Sequence, residues 1–310
     1  MRAFVFPGQG SQSVGMALEA YRERGTVRDI FDRANGVLGY RLMDIMFQGP
    51  EEELKRTENA QPALFLHSYA LYQMLDAPDP AMVAGHSLGE YTALAVAGAL
   101  TFDDALRLVK TRAAAMAAAG EEEPGTMGAI IGLSDEVVTE ICVRLTDKDL
   151  LVVPANYNAD GQIVVSGTRA GVAAALEEAK SVGARMATEL NVSGAFHSPL
   201  MKRAEETLAE ALREAPIHPA EIPVYMNASA TPVTEPEEIR SLLLTQLTAP
   251  VLWTQSIRAM IADGATEFVE VGQGKVLQKL VGRISKEAGA SGLETLSQID
   301  EFNSTFKSQH

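Results

Sequence analysis

The chain has a single cysteine, Cys142, so no internal disulfide can form. That lack suits a reducing compartment, and the cytoplasm is the expected location. Cys142 itself lies in EVVTEICVRL, a helical pattern in which it reads as a small core residue. Long apolar runs are missing too, since no segment reaches the ~18 consecutive apolar residues of a membrane span. The opening MRAFVFPGQG reads as a short strand ending in a loop, too short and too soon interrupted by Pro7 for a signal peptide. Positive charge is scarce. Lys and Arg number 26 against 41 Asp and Glu, a formal net charge of -15, which argues against a nucleic acid partner. It also disfavours an acidic protein partner unless the basic residues are concentrated locally. The rest is ordinary for a soluble globular protein: 310 residues, 46% hydrophobic and 22% charged, enough for one large domain or two smaller ones.

Short apolar strands alternate with helices. Stretches 2–6, 82–84, 224–227 and 267–271 read as buried strands, with amphipathic helices at 62–75 and 102–119. This alternation predicts a parallel sheet covered by helices. The middle differs. MGAIIGL is a strand and 135–144 a helix; LLVVPANYN and QIVVSG are strands joined at Ala159-Asp160-Gly161; a helix at 169–182 and a strand at 184–192 follow. The order β-α-β-β-α-β is that of a ferredoxin-like module. The predicted fold class is α/β: a large domain (1–125 and 195–310) with a central parallel sheet, interrupted by a small ferredoxin-like subdomain (126–194) between the linkers EEEPGT and NVSGAFHS. The tail after Ala288 is polar and is expected to be loosely held.

The strand at 82–84 enters Gly85-His86-Ser87-Leu88-Gly89, and a helix-like run follows. Strand, G-x-S-x-G, helix is the setting in which a serine is lifted above a sheet as a nucleophile. The amide of Leu88 then points from a helix N-terminus, ready for an oxyanion. A glycine-flanked turn capped by serine is the plainer alternative. A serine nucleophile needs a base, and the chain has five histidines. His86 neighbours Ser87 and points its side chain away. His67 falls on an apolar helix stripe, His218 sits between prolines, and His310 ends the chain. His197 remains, just before Ser198-Pro199 opens a helix. Its position downstream matches the order Ser…His of α/β hydrolases. No acid between the two presents itself as a third member.

A helix starts at the capping pattern Thr101-x-x-Asp104. Its apolar stripe runs Ala105, Leu108, Val109 and Met116, and Arg112 shares that face while Arg107 and Lys110 do not. An inward arginine needs an anion, because a buried unpaired charge costs ~3–5 kcal/mol. A protein carboxylate would make a structural salt bridge. A substrate carboxylate, held by paired contacts, would make the acyl group a dicarboxylic half-ester.

Together these residues resemble a known family. FPGQGSQ (6–12), GHSLGEYTAL (85–94), Arg112, ANYNADGQIVVSG (155–167), GAFHSPLM (194–201), QLTAPVLWT (246–254) and GQGKVL (272–277) are similar to malonyl-CoA:acyl carrier protein transacylases. The motifs occur also in the acyltransferase domains of polyketide and fatty acid synthases. The resemblance covers all but the tail and implies a hydrolase-like domain with a ferredoxin-like insert. It implies that Ser87 takes a malonyl group from malonyl-CoA and passes it to the phosphopantetheine thiol of an acyl carrier protein. This is a ping-pong reaction that supplies fatty acid elongation. His197 would be the base, oriented by backbone carbonyls near Gln246, and the amides of Gln9 and Leu88 the oxyanion hole. Arg112 would clamp the free carboxylate, with His86, Asn156, Asn158, Phe196 and Gln246 around the substrate. Phe196, next to His197, resembles the malonyl-selective version of the segment; a bulky ring leaves little room for a methyl branch. No metal or bound cofactor is implied, since phosphopantetheine belongs to the substrates, and no nucleic acid or membrane partner. A malonyl acyltransferase serving a polyketide synthase shares all these residues, and a serine esterase or thioesterase shares Ser87 and His197. Carrier proteins are acidic, so docking needs a local basic surface. Lys275, Lys279, Arg283 and Lys286 recur at helical spacing in GQGKVLQKLVGRISK, and Lys202 and Arg203 would extend the patch towards the cleft.

Overall fold

The computed structural model describes residues 1–76 and 80–307, so His310 lies outside the described residues. Strand β1 (Arg2–Phe6) is followed by helices α1 (Leu18–Glu23), α2 (Gly25–Leu38), α3 (Leu42–Gln48), α4 (Glu51–Lys55) and α5 (Thr57–Tyr72). Then come β2 (Met82–Gly85), α6 (Gly89–Val96) and α7 (Phe102–Glu122). The middle of the chain is β3 (Gly125–Ile131), α8 (Asp135–Thr146), β4 (Val152–Ala159), β5 (Gln162–Thr168), α9 (Arg169–Ser181) and β6 (Met186–Glu189). The remainder is α10 (Lys202–Glu214), β7 (Val224–Tyr225), β8 (Pro232–Val233), α11 (Pro236–Thr245), α12 (Trp253–Ala262), β9 (Glu267–Val271), α13 (Val276–Ile284), β10 (Gly289–Leu293) and α14 (Leu296–Lys307). Among the described residues no helix is long and apolar enough to cross a membrane.

Six strands form one sheet in the order β10-β9-β1-β2-β7-β8, parallel throughout except for the β7–β8 pair. Helices cover both faces, so β1 and β2 are buried on both sides and read as continuous apolar runs. The other sheet has the order β4-β5-β3-β6, with every pairing antiparallel, and is the ferredoxin-like arrangement. Helices α8 and α9 pack Val138, Cys142 and Val172 against Ile130, Val152 and Ile163 on one of its faces. Burial pushes the Cys142 thiol up to about 12. Met127, Gln162 and Val164 alternate with these, and a β-bulge between Pro154 and Asn156 turns Asn156 and Asn158 to the same opposite face, the wall of a cavity. The small sheet is stitched to the segment before α12 where Tyr157 N–H donates to the Val251 carbonyl and Val251 N–H to that of Ala155, each at 2.9 Å.

Four expectations are corrected. The helix expected from Pro62 begins at Thr57 and takes the proline inside it. The Glu58 carbonyl, which a residue at 62 with an N–H would bond, accepts from the Tyr40 hydroxyl at 3.4 Å. The last strand of the small module stops at Glu189, beyond which Leu190, Asn191 and Val192 turn to line the cavity. The strand expected over 224–227 ends at Tyr225, because Asn227 is committed to other bonds described below. As far as Lys307 the tail is not loose. Strand β10 extends the parallel sheet beside β9, and α14 buries Leu296 and Ile299 and sets the Phe302 ring edge-on to Phe4. Asn303 ties it to the Met74 carbonyl and the Asp76 amide, each at 2.9 Å. Its polar residues form the outer face of an amphipathic helix.

A docked α14 predicts that Ile299→Ala, at a position 1% exposed, lowers stability by about 2–5 kcal/mol. Urea denaturation measures this, and a loss within about 0.5 kcal/mol would restore the loose tail.

Candidate active site

The turn between β2 and α6 places Ser87 at the carboxyl end of the parallel strands, where ligands bind in open α/β sheets. Ser87 has φ +51°, a left-handed conformation that is strained for a side-chain-bearing residue. Its neighbours must be glycine: a Cβ on Gly85 would lie 1.9 Å from the Gly89 carbonyl carbon, and one on Gly89 2.1 Å from the Phe6 carbonyl oxygen. Asn227 staples the turn. Its Oδ1 accepts from Ser87 N–H and its Nδ2 donates to the Gly85 carbonyl, both at 2.7 Å.

Ser87 Oγ lies 2.8 Å from His197 Nε2, and His197 Nδ1 lies 2.8 Å from the Gln246 carbonyl oxygen. A carbonyl only accepts, so the proton sits on Nδ1 and the Nε2 lone pair faces the serine hydroxyl. No carboxylate contacts this histidine among the described residues. Burial, with the nearby Arg112 charge, pushes the His197 pKa down to about 3, so the ring is a neutral base. His67, on the apolar face of α5, is also buried and neutral, with its pKa pushed down to about 4 by burial; His218 is exposed.

Arg112 is 1% exposed and faces inward with Ala105, Leu108, Val109 and Met116. Nη1 donates to Gln61 Oε1 at 2.7 Å; Nη2 donates to Gln246 Oε1 at 2.8 Å and to Ser87 Oγ at 3.0 Å. The Tyr91 ring lies 5.6 Å from the guanidinium carbon. Among the described residues no carboxylate forms an ion pair with it, so the alternative of a structural salt bridge is not there. Glu90 stands one amide away: its Oε1 accepts from Gln246 Nε2 at 2.9 Å and its Oε2 from Asn227 N–H at 2.5 Å.

These groups open into a cavity of about 640 Å³. Gln9, His86, Leu88, Asn156, Asn158 and Phe196 line it. His86 points away from the serine and meets Asn158 Oδ1 at 2.8 Å. Gln9 extends its side chain to Thr57 Oγ1 at 3.2 Å. Gln246, expected around the substrate, is fully buried behind the lining: its backbone carbonyl holds His197, and its amide bonds Arg112, Glu90 and the Ser87 carbonyl, the last at 3.0 Å.

The four cations do not share one helix. Helix α13 ends at Ile284. Lys275 precedes it, and Lys286 lies beyond it, bonded to the Gly282 carbonyl at 2.6 Å. Lys279 and Arg283 are on it, exposed, Arg283 bonded to Gln162 at the cavity wall. The inner face of α13, Leu277 and Leu280, borders the same cavity. Lys202 pairs with Glu205 at 2.5 Å, and Arg203 stands 3.8 Å from both Glu122 and Glu206, so neither adds free positive charge.

Sequence reasoning missed Gln61, Glu90 and Asn227. The signal for Glu90 was an acid followed by the apolar run YTALAV; Gln61 and Asn227 looked like ordinary helix and strand-end residues.

The acyl transferase domain family matches residues 3–300. The chain is 42% identical over 310 residues to the malonyl CoA-acyl carrier protein transacylase of Bacillus subtilis, covering 99% of this chain and 98% of that one. Among solved structures, the acyl-carrier-protein-S-malonyltransferase of Bartonella henselae superposes with a TM-score of 0.94 at 38% identity, covering 99% of each chain. A malonyl-transacylase in complex with its type II PKS acyl-carrier protein superposes with a TM-score of 0.95 at 36% identity, covering 98% of this chain and 99% of that one.

The depressed His197 pKa makes the base available at any pH above about 3. Labelling of Ser87 by a fluorophosphonate probe is therefore expected to keep a constant rate between about pH 5 and 7. A fall with a midpoint near 6.5, the value of a free imidazole, would contradict this.

Proposed function

The chain belongs to the acyl transferase domain family and is an acyltransferase, and on that premise we propose that it carries malonyl groups from malonyl-CoA to the phosphopantetheine thiol of an acyl carrier protein. The observation that carries this reading is the Arg112 guanidinium, buried without a carboxylate partner and 3.0 Å from Ser87 Oγ. An acyl group held there needs its own anion, and malonyl has one.

The proposed steps are these. Ser87 gives its proton to His197 Nε2 as Oγ bonds to the thioester carbonyl carbon. The amide N–H groups of Gln9 and Leu88 receive the oxyanion. The carbon–sulfur bond breaks, His197 returns the proton to the coenzyme A sulfur, and malonyl-Ser87 remains. The carrier's thiol then gives its proton to His197, its sulfur attacks the ester, and Ser87 Oγ leaves and is reprotonated. Arg112 holds the carboxylate through both halves. Asn156 and Asn158 offer neutral amides to the arm, and Phe196 crowds the carbon between the two carbonyls, which supports malonyl over branched acyl groups.

Intact mass after mixing with malonyl-CoA should show one added malonyl group, absent in Ser87→Ala. Arg112→Ala should lower kcat/KM for malonyl-CoA by about 10²-fold or more and leave acetyl-CoA much less affected. Equal losses for the two substrates, or rapid hydrolysis of the adduct in place of transfer, would sink the assignment.

Docking of the carrier is assigned to the exposed cations of α13, above all Lys279 and Arg283, with Lys275 and Lys286 at its ends. Opposite charge steers encounter more than it sets the chemistry. Lys279→Glu with Arg283→Glu should slow transfer to the carrier, increasingly so at low salt, while self-malonylation from malonyl-CoA keeps its rate. Stopped-flow measurement of the two half-reactions decides; both slowing alike, or neither, would remove α13 from the interface.

A further inference from the structure

Glu90 has no place in the steps above, yet its carboxylate is fully buried in the same cluster. It and Arg112 grip one amide from opposite ends: Arg112 Nη2 donates to Gln246 Oε1 at 2.8 Å, and Gln246 Nε2 donates to Glu90 Oε1 at 2.9 Å. The same amide belongs to the residue whose carbonyl holds His197. The charged or titratable groups acting on Glu90 are Arg112 from α7 and the Tyr91 phenol beside it on α6. Burial raises the Tyr91 pKa, so the phenol is neutral.

Where Glu90 is ionised, one buried cation and one buried anion balance across Gln246. A substrate carboxylate on Arg112 brings a second anion into this closed space, and an uncompensated buried charge is strongly disfavoured. Neither Arg112 nor the neutral His197 can offset it. A proton on Glu90 can.

We propose, resting on the malonyl reading above, that Glu90 is a positioning residue that serves as the resident counter-charge of Arg112 and takes up one proton from solvent as the malonyl carboxylate binds. The balance is simple: carboxylate plus one proton gives carboxylic acid, and no other bond changes. Protonated Glu90 needs an acceptor, which Gln246 Oε1 supplies once that side-chain amide turns over and gives up its bond to the Ser87 carbonyl. The turned amide then presents its NH2 to the clamp, where the malonyl carboxylate has become the acceptor. The acyl carboxylate thus replaces Glu90 as the balancing anion, and groups lacking a carboxylate leave the pair as it was.

Burial pushes the Glu90 pKa up to about 8, against hydrogen bonds from Asn227 and Gln246 and the Arg112 charge, which pull it down. Above that pH the resting residue is an anion and must acquire its proton before malonyl is held. The test is the pH dependence of serine acylation in the wild-type protein from pH 6.5 to 9.5, with malonyl-CoA and acetyl-CoA compared. For malonyl-CoA, kcat/KM should fall about tenfold per pH unit above about 8, as a single-proton requirement dictates, while acetyl-CoA stays flat. Glu90→Gln, which carries no charge, should abolish that difference. If this variant fails to fold, a pH indicator in weak buffer at pH 8.5 gives the answer on the wild type: proton uptake per acyl-enzyme formed should be larger with malonyl-CoA than with acetyl-CoA. Equal pH profiles or equal uptake for the two substrates would overturn the role of Glu90 while leaving a malonyl-Ser87 adduct intact. Absence of that adduct by intact mass would sink the malonyl reading and this inference with it.

Discussion

A guanidinium sealed in the protein without a carboxylate at its side is the constraint around which the site is built. Arg112 donates to the amide oxygens of Gln61 and Gln246 and to Ser87 Oγ. These oxygens take up its two terminal nitrogens, leaving Nε without a partner among the described residues and the charge in place. Every nearby group feels that charge. It helps hold His197 neutral. It also fixes the serine hydroxyl: with a lone pair of Oγ receiving the Arg112 N–H, the hydroxyl proton is free to point at Nε2. A cation 3.0 Å from Oγ further favours the alkoxide that develops as the proton leaves.

The same constraint accounts for a histidine held by a carbonyl. A carboxylate on Nδ1 would raise the basicity of the ring and steady it as it becomes charged, as in a serine–histidine–aspartate triad. Here the Glu90 carboxyl already sits one amide away from Arg112, and a carboxylate on the histidine would compete with any acyl carboxylate for the guanidinium. The Gln246 carbonyl fixes the tautomer without adding charge. Gln246 therefore does two jobs from one position, its backbone aiming the base and its side chain separating Glu90 from Arg112.

How much of this was legible in the sequence follows from where each signal lies. Ser87 could be read because glycine spacing, strand and helix are contiguous, and Arg112 because a cation on the apolar stripe of an amphipathic helix breaks the period. His197 could be read by eliminating the other histidines. Glu90, Gln61 and Asn227 could not, because their meaning rests on partners 51 to 156 residues away, as with Gln61–Arg112 and Glu90–Gln246. Strand β10 was hidden because GASGL has little strand propensity; its place is set by the parallel register offered by β9. The basic stretch looked like one long helix because spacing alone does not reveal that the chain leaves helical geometry at Ser285.

The two walls of the cavity divide the labour of recognition. The small sheet contributes amides and apolar groups, Asn156, Asn158, Met127 and Val164. Glu51 and Lys55, also on the lining, pair with each other at 2.7 Å. Arg112 is thus the one lining cation without a carboxylate partner among the described residues, and it sits behind the serine. An elongated ligand with a negative end is oriented by this asymmetry. Its anion is drawn to the large-domain wall, while its neutral amide-bearing length meets amides that can bond it without competing for the charge. The reacting carbonyl, between the two, is then delivered to Ser87 Oγ by the ends of the molecule and not by contacts to itself. In the function proposed above, that would leave the Gln9 and Leu88 amides free to bind the oxygen only when it carries charge, which is the condition for stabilising a transition state more than a substrate.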